Sequence, residues 1–298
     1  MRLLVHLHLH YYDQTDYFIG KLSSITGCSW DLYITEVCHD PVIEKKFSTL
    51  GANVIYIETE DRGYDIWPFI KVMKSVDLGE YDLVMKLHTK GWRNRRDRMN
   101  GLKMQGFGWR DELVDSMLKD KSRFTSILKH FSSHPGTGLV CSNWCYKRTL
   151  KVHPEDLDML DDELVRIGLG PVRSRKFCAG TMFIARAGIY RFLQSGCISM
   201  EMFGTESISG SAGTMSHVYE RILSMAPAIM SYKVKTVSTS AFRTVYIMCS
   251  GAIQPLLDWL FSIDREGKEK TKYLTVLGMR FRLGTKKGNR QLPSAHTE

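Results

Sequence analysis

Tyr81-Asp-Leu-Val-Met-Lys-Leu-His-Thr-Lys90 reads as a buried β-strand whose far end carries Lys86, His88 and Lys90 where turn residues would be ordinary. Lys86 and His88 share one strand face by period-two alternation, and Lys90 extends the row. Ligands of open α/β sheets collect beyond the carboxyl ends of the strands, so cations there point to an anion such as a phosphate. An exposed basic edge that blunts aggregation is the plainer alternative, and the apolar run around Lys86 argues against it.

Working outward, the first ninety residues alternate strand and helix signals. Strands are predicted over 3–10, 30–37, 53–58 and 81–88, with helices over 16–25, 41–50 and 66–76 between them. Such a series needs crossover connections, which implies a mostly parallel, Rossmann-like sheet covered on both faces. A polar loop, Gly91-Trp-Arg-Asn-Arg-Arg-Asp-Arg98, then leads to helices over 109–118 and 123–131. Further strands are expected over 137–141 and 177–185, with an acidic helix over 154–167 between them. A helix over 188–193, a Gly/Ser-rich loop over 204–213 and a helix over 214–223 follow.

The 298 residues are 43% hydrophobic and 24% charged, which excludes a disordered chain and leaves room for one large domain or two small ones. The net charge of +9 favours an anionic partner without choosing among nucleotide, nucleic acid and acidic membrane. Seven irregularly spaced cysteines without a Cys-x-x-Cys pair suggest neither a disulfide framework nor a zinc site, so a reducing cytosol fits. Met-Arg-Leu-Leu-Val-His runs directly into a strand, unlike a signal peptide, and secretion is not expected. Residues 1–240 read as the catalytic domain and 241–298 as an apolar and basic extension. In that extension the apolar stretch 245–263 is too interrupted for a spanning helix, but suits an interfacial helix on anionic lipid. Residues 265–298 then carry nine Lys or Arg against three Glu. A packed C-terminal helix with a solvated tail is the alternative.

Three further groups invite chemistry. His6, His8 and His10 alternate on one face, as at the start of some metal-dependent hydrolases, or they line a sheet edge or nucleotide pocket. Asp65, after Gly63, either caps the following helix or accepts hydrogen bonds from a ribose or sugar hydroxyl. On the helix His217-Val-Tyr-Glu-Arg221, His217, Glu220 and Arg221 share a face. There Glu220 could serve as a general base tuned by its neighbours, or simply form a surface ion pair. Gly180 and Thr181, small residues within the 177–185 strand, mark close approach of a ligand or of a helix.

Arg62-Gly-Tyr-Asp-Ile-Trp-Pro-Phe69, the 81–90 stretch, Trp109-Arg110, Phe177-Cys-Ala-Gly-Thr-Met-Phe183 and His217-Val-Tyr-Glu-Arg221, in that order, resemble the rhamnan synthesis F family of bacterial polysaccharide and O-antigen glycosyltransferases. The resemblance implies a glycosyltransferase A-like mixed sheet flanked by helices, with a C-terminal helical basic extension. In such folds an Asp-any-Asp pair at the end of the fourth strand holds a metal, whereas Lys86-Leu-His88 stands there in this chain. No cofactor is implied and no divalent metal is expected. His10, Tyr11 and Asp65 would then meet the nucleoside or sugar, with Gly180 and Thr181 beside the donor. Lys86, His88, Lys90 and Arg110 would meet the diphosphate. Glu220 would be the base, with His217 and Glu206 as alternates. The usual Asn-Arg-Gly-Arg-Asp arrangement is altered by Asp61 and Tyr64, which leaves the donor sugar open. The implied partners are a nucleotide-diphosphate sugar, a glycan or lipid-linked glycan acceptor and an anionic inner membrane face, but not nucleic acid. Two other classes stand beside this one: a hydrolase using His6, His8 and His10, and a non-catalytic binder of anionic polymer using 93–98 and the tail.

Overall fold

The computed structural model describes residues 1–99, 102–148, 154–170, 176–204, 214–242, 245, 259–266 and 271–284. They fall into two compact units, Met1–Ser240 and Ala241–Glu298.

The first unit is built on strands β1 (Arg2–His8), β2 (Ser29–Glu36), β3 (Asn53–Glu58) and β4 (Leu83–His88), connected by helices α1 (Thr15–Leu22), α2 (Pro41–Phe47) and α3 (Ile66–Ser75). Leu3, Leu4, Val5 and Leu7 of β1, with Val84, Met85 and Leu87 of β4, are fully buried, as parallel strands covered on both faces require. Helix α2 starts where it does because the Asp40 side chain accepts from the Val42 N–H and Pro41 takes the first helical position.

The polar stretch expected to be a loop is instead a hairpin, β5 (Arg93–Met99) and β6 (Leu102–Gly106). Helices α4 (Gly108–Leu118) and α5 (Lys121–Ser133) lead to β7 (Thr137–Ser142), then come β8 (Tyr146–Arg148) and α6 (Pro154–Arg166). The strand expected over 177–185 is in fact two, β9 (Lys176–Cys178) and β10 (Phe183–Arg186). They are broken by a turn in which Gly180 has φ +90° and Thr181 φ +43°. The helix expected over 188–193 is a 3-10 helix, Ala187–Gln194. Helix α7 (Met215–Ile229) runs beyond the expected end and through Pro227, and β11 (Lys233–Val237) closes the unit. The loop 205–213, with Glu206, lies outside the described residues.

The main sheet has the order β11-β7-β10-β4-β1-β2-β3 and is mixed: β10 runs antiparallel to both β4 and β7, and the other pairs are parallel. This is the α/β mixed sheet flanked by helices that the sequence implied. From β1 the chain steps outward through β2 and β3, then returns to the opposite side of β1 with β4. The order therefore reverses between β1 and β4, and in open α/β sheets a crevice forms beyond the carboxyl ends at such a point. His8 and His88 are register partners at those two ends.

In the second unit residues 241–242, 245 and 259–260 are helical, and β12 (Phe261–Glu266), β13 (Thr271–Val276) and β14 (Met279–Gly284), which the sequence did not lead one to expect, form an antiparallel sheet. Most of the predicted interfacial segment, 246–258, lies outside the described residues.

Candidate active site

The switch point is pinned before any side chain reaches into it. Thr89, one residue past β4, accepts through Oγ1 from the backbone N–H groups of His10 and Tyr11, each at 3.0 Å. Gln14, in the short 3-10 turn after β1, donates from Nε2 to the Lys90 carbonyl at 2.8 Å. The loops after β1 and β4 are thereby tied together, and His10 and Tyr11 are exposed on the rim. Neither Thr89 nor Gln14 carried a signal in the sequence beyond a polar residue at a strand end.

Asp65 is at the N-terminal position of α3 but makes no capping hydrogen bond. Gly63 (φ +66°) and Tyr64 (φ +52°) turn the chain just before it, and a Cβ at Gly63 would sit 2.9 Å from that of Trp67. The carboxylate points instead to the end of β4, where Lys86 Nζ donates to Oδ2. Thr181 Oγ1 donates to the same oxygen at 2.9 Å, and His88 Nδ1 lies 3.3 Å from it. Lys86 also donates to Thr181 Oγ1 at 3.2 Å. All three neighbours meet Oδ2, and among the described residues no hydrogen bond holds Oδ1, on a side chain 19% exposed.

Three cations in a row were expected at the end of β4, and the structure places them differently. Lys86 is wholly buried and its charge is matched by Asp65 inside the protein, so it orients that carboxylate and does not face solvent. Burial lowers the Lys86 ammonium, with Asp65 opposing. The Asp65 carboxyl would be raised by burial, but His88, Lys86 and Lys90 outweigh that and hold it well below the usual carboxylate range. His88 is buried, and desolvation drives it well below its ordinary value, with Asp65 opposing. Neither of its ring nitrogens makes a hydrogen bond. Lys90, half-buried, holds its ammonium 4.0 Å above the Trp109 ring. Arg110 is drawn away from the row: it donates from Nε and Nη2 to Asp111 Oδ1 and stacks 3.6 Å from the Tyr17 ring centre.

The turn between β9 and β10 joins a second carboxylate to the first. Gly180 N–H donates to Glu220 Oε1 at 2.9 Å, while the next residue, Thr181, donates to Asp65. Glycine is favoured at 180, since a Cβ there would meet Leu113 Cδ1 at 2.7 Å in a left-handed backbone. Glu220 is therefore held from across the fold, not by its helix neighbours. His217 Nδ1 pairs with Thr214 Oγ1 at 2.8 Å, and Arg221 Nη1 donates to the His217 carbonyl at 2.6 Å.

His6 and His8 are buried in the sheet and share Thr35 Oγ1, at 2.9 and 3.1 Å, while His10 stands beyond the strand end. Burial lowers His8 to about 4. Among the described residues no group of three or more His, Cys, Asp or Glu is arranged to hold a metal ion. No helix among them is long and apolar enough to cross a membrane.

Several known proteins are similar to this chain. WxcX of Xanthomonas campestris pv. campestris, an uncharacterized protein, is 30% identical over 254 residues in strain B100 and again in a second strain, covering 84% of this chain and 34% of WxcX. The chain thus spans about a third of the length of the curated relatives it matches. Among solved structures, residues 1–349 of S. aureus TarS align at TM-score 0.42 and 11% identity, over 81% of this chain and 59% of that one. A mycobacterial protein aligns at TM-score 0.36 and 12% identity, over 94% and 85%. A family model described as Rhamnan synthesis protein F matches residues 1–232, which is most of the chain and all of the site. With its five motif blocks within that span, the chain belongs to the rhamnan synthesis protein F family.

Proposed function

We propose that the chain is a glycosyltransferase of polysaccharide synthesis, with a glycosyltransferase A-like catalytic unit. It moves a hexose or deoxyhexose, of rhamnose or galactose type, from a nucleotide diphosphate to a glycan or lipid-linked glycan hydroxyl. One observation carries this reading: two carboxylates, Asp65 and Glu220, are held by successive residues of one turn above the switch point, each with an oxygen left over. Asp65 Oδ1 accepts from a hydroxyl of the donor sugar or ribose, while Lys86 and Thr181 keep Oδ2 fixed. His10 and Tyr11 flank the nucleoside on the rim.

In an inverting transfer, Glu220 Oε2 takes the proton of the acceptor hydroxyl as its oxygen attacks the anomeric carbon, and the bond from that carbon to the diphosphate breaks on the opposite face. The charge that develops on the diphosphate is met by the Lys90 ammonium and by a hydrogen bond from the His88 imidazole, with no divalent metal in the reaction. The work is done at the cytoplasmic face, where nucleotide sugars are made.

The test is Glu220→Gln with a panel of nucleotide sugars. The amide oxygen still accepts from the Gly180 N–H, so the melting temperature should hold while turnover falls by about 10²–10⁴. Near-normal turnover on an identified donor and acceptor would remove Glu220 from the chemistry.

A further inference from the structure

Trp109, in the first turn of α4, adjoins both the cation just past β4 and the turn between β9 and β10. The Lys90 ammonium lies 4.0 Å from its ring centre. The same indole reaches Gly180, where a Cβ would sit 3.1 Å from Trp109 Cζ2 and 3.2 Å from Cε2. Leu113, one helical turn along, meets that position at 2.7 Å, so residues 109 and 113 cover the turn from one face of α4.

The helix that carries this ring is fixed from two directions. Glu112, only 3% exposed, accepts through Oε1 from Ser142 Oγ at 2.7 Å and through Oε2 from Thr239 Oγ1 at 2.5 Å, which ties α4 to the end of β7 and to the chain after β11. Arg110 lies 3.6 Å from the Tyr17 ring centre and 4.1 Å from that of Phe107, and so pins the first turn. A ring on a fixed helix holds what it touches in a fixed place, and the attraction of an ammonium to an indole face strengthens as water is excluded. Gly180 in turn donates its N–H to Glu220 Oε1 at 2.9 Å. Trp109 therefore meets both the Lys90 cation and the residue that holds the second carboxylate. In an in-line displacement the base and the leaving group lie on opposite faces of the reacting carbon, so a misplacement of about 1 Å between them is costly.

We infer that Trp109 is a positioning residue that sets the Lys90 ammonium, the cation for a diphosphate, at a fixed distance from Glu220. It acts through Lys90 and Gly180, not on the reacting atoms. The inference rests on the glycosyltransferase reading of the site, and its first test uses inorganic pyrophosphate, which requires no sugar transfer.

The experiment is calorimetric titration of the whole chain with inorganic pyrophosphate, as a double-mutant cycle of Lys90→Gln and Trp109→Leu, followed by transfer kinetics of Trp109→Phe. Trp109→Leu keeps an apolar side chain near Gly180 and removes the aromatic face. It should weaken pyrophosphate binding by about ten-fold in the wild-type background and by less than about two-fold in the Lys90→Gln background. Equal weakening in both would overturn the inference, since the ring would then act on the fold and not on Lys90. So would a wild-type chain that binds no pyrophosphate. Trp109→Phe keeps a face for Lys90 but loses the part of the indole against Gly180. Its pyrophosphate affinity should stay within about two-fold of wild type, while kcat falls about ten-fold at an unchanged KM for the donor. An unchanged kcat would overturn the link to the turn. If the cycle shows the coupling and the wild-type chain turns over no nucleotide sugar, the glycosyltransferase reading fails and the Lys90–Trp109 anion site stands.

Discussion

Lys86 stays in an apolar strand only because Asp65 meets it there. Removing an ammonium from water costs several kcal/mol, and the attraction of the carboxylate with the added Thr181 oxygen offsets it. Asp65→Ala would leave that ammonium buried and unmatched, so a loss of about 3–5 kcal/mol in urea unfolding is expected. Asp65→Ala combined with Lys86→Met should recover most of it, since the strand is then apolar throughout, and yet remain inactive. If the single substitution costs no more than a surface one, the pair does not hold the site. The buried imidazoles give a pH dependence of known sign. His8 titrates near 4 in the fold and near 6.5 unfolded, so between those values the unfolded chain binds more protons. Stability is full above 6.5 and falls as the pH drops toward 4, by on the order of 3 kcal/mol for this one ring. His8→Asn, which can still reach Thr35, should flatten that slope; an unchanged urea midpoint across the range would refute the assignment. Asp65 adds a further loss at lower pH, as its depressed carboxyl is finally protonated.

The element that makes the site is the turn between β9 and β10. Two consecutive left-handed residues, one of them a β-branched threonine, cost about 1–3 kcal/mol for the non-glycine alone, and surrounding contacts must hold them. Gly180→Ala should lower stability by a similar amount and move the Gly180 N–H from Glu220, so turnover falls beyond what the melting shift explains. Thr181→Val removes only the hydroxyl and should cut donor binding, while Thr181→Ser keeps it and leaves activity near normal. A Thr181→Val enzyme with unaltered KM for the donor would count against the Asp65 role. This turn is also where the sequence was hardest to read. Phe177 to Ala185 is apolar enough to pass for one strand, and nothing local shows that Gly180 takes φ +90° because Leu113 and Trp109 press on it. The β1–β4 frame was legible because buried parallel strands write themselves as apolar runs separated by helical periodicity. The hairpin at 93–106 was not, since Arg-Asn-Arg-Arg-Asp-Arg carries no alternation. Asp65, Lys86 and Glu220 were each visible as unusual residues. Their partnerships, across 21 residues for Asp65 with Lys86 and 40 for Gly180 with Glu220, arise only from the sheet order.

At the scale of the molecule, the reversal of strand order between β1 and β4 decides where a ligand can sit, and the loops after both strands are already tied through Thr89 and Gln14. A donor seated there would contact His10 and Tyr11 from one loop and Lys90 from the other, and so add its binding free energy to the cohesion of the whole first unit. At a hundred times its Kd it should stabilise the native state by about 2.7 kcal/mol. For a unit of this size that is a rise of roughly 5–10 °C in melting temperature. Thr89→Val unties the His10 and Tyr11 backbone from β4 and should reduce the shift at a fixed donor concentration, with little change in the ligand-free melting temperature. If Lys90 and His88 meet the diphosphate without a bridging ion, as proposed, addition of a chelator should leave the shift with the wild-type chain intact. A shift that develops only with a divalent metal would sink that account of the leaving group, while leaving the two carboxylates and the turn that joins them as the place to look for the transfer step.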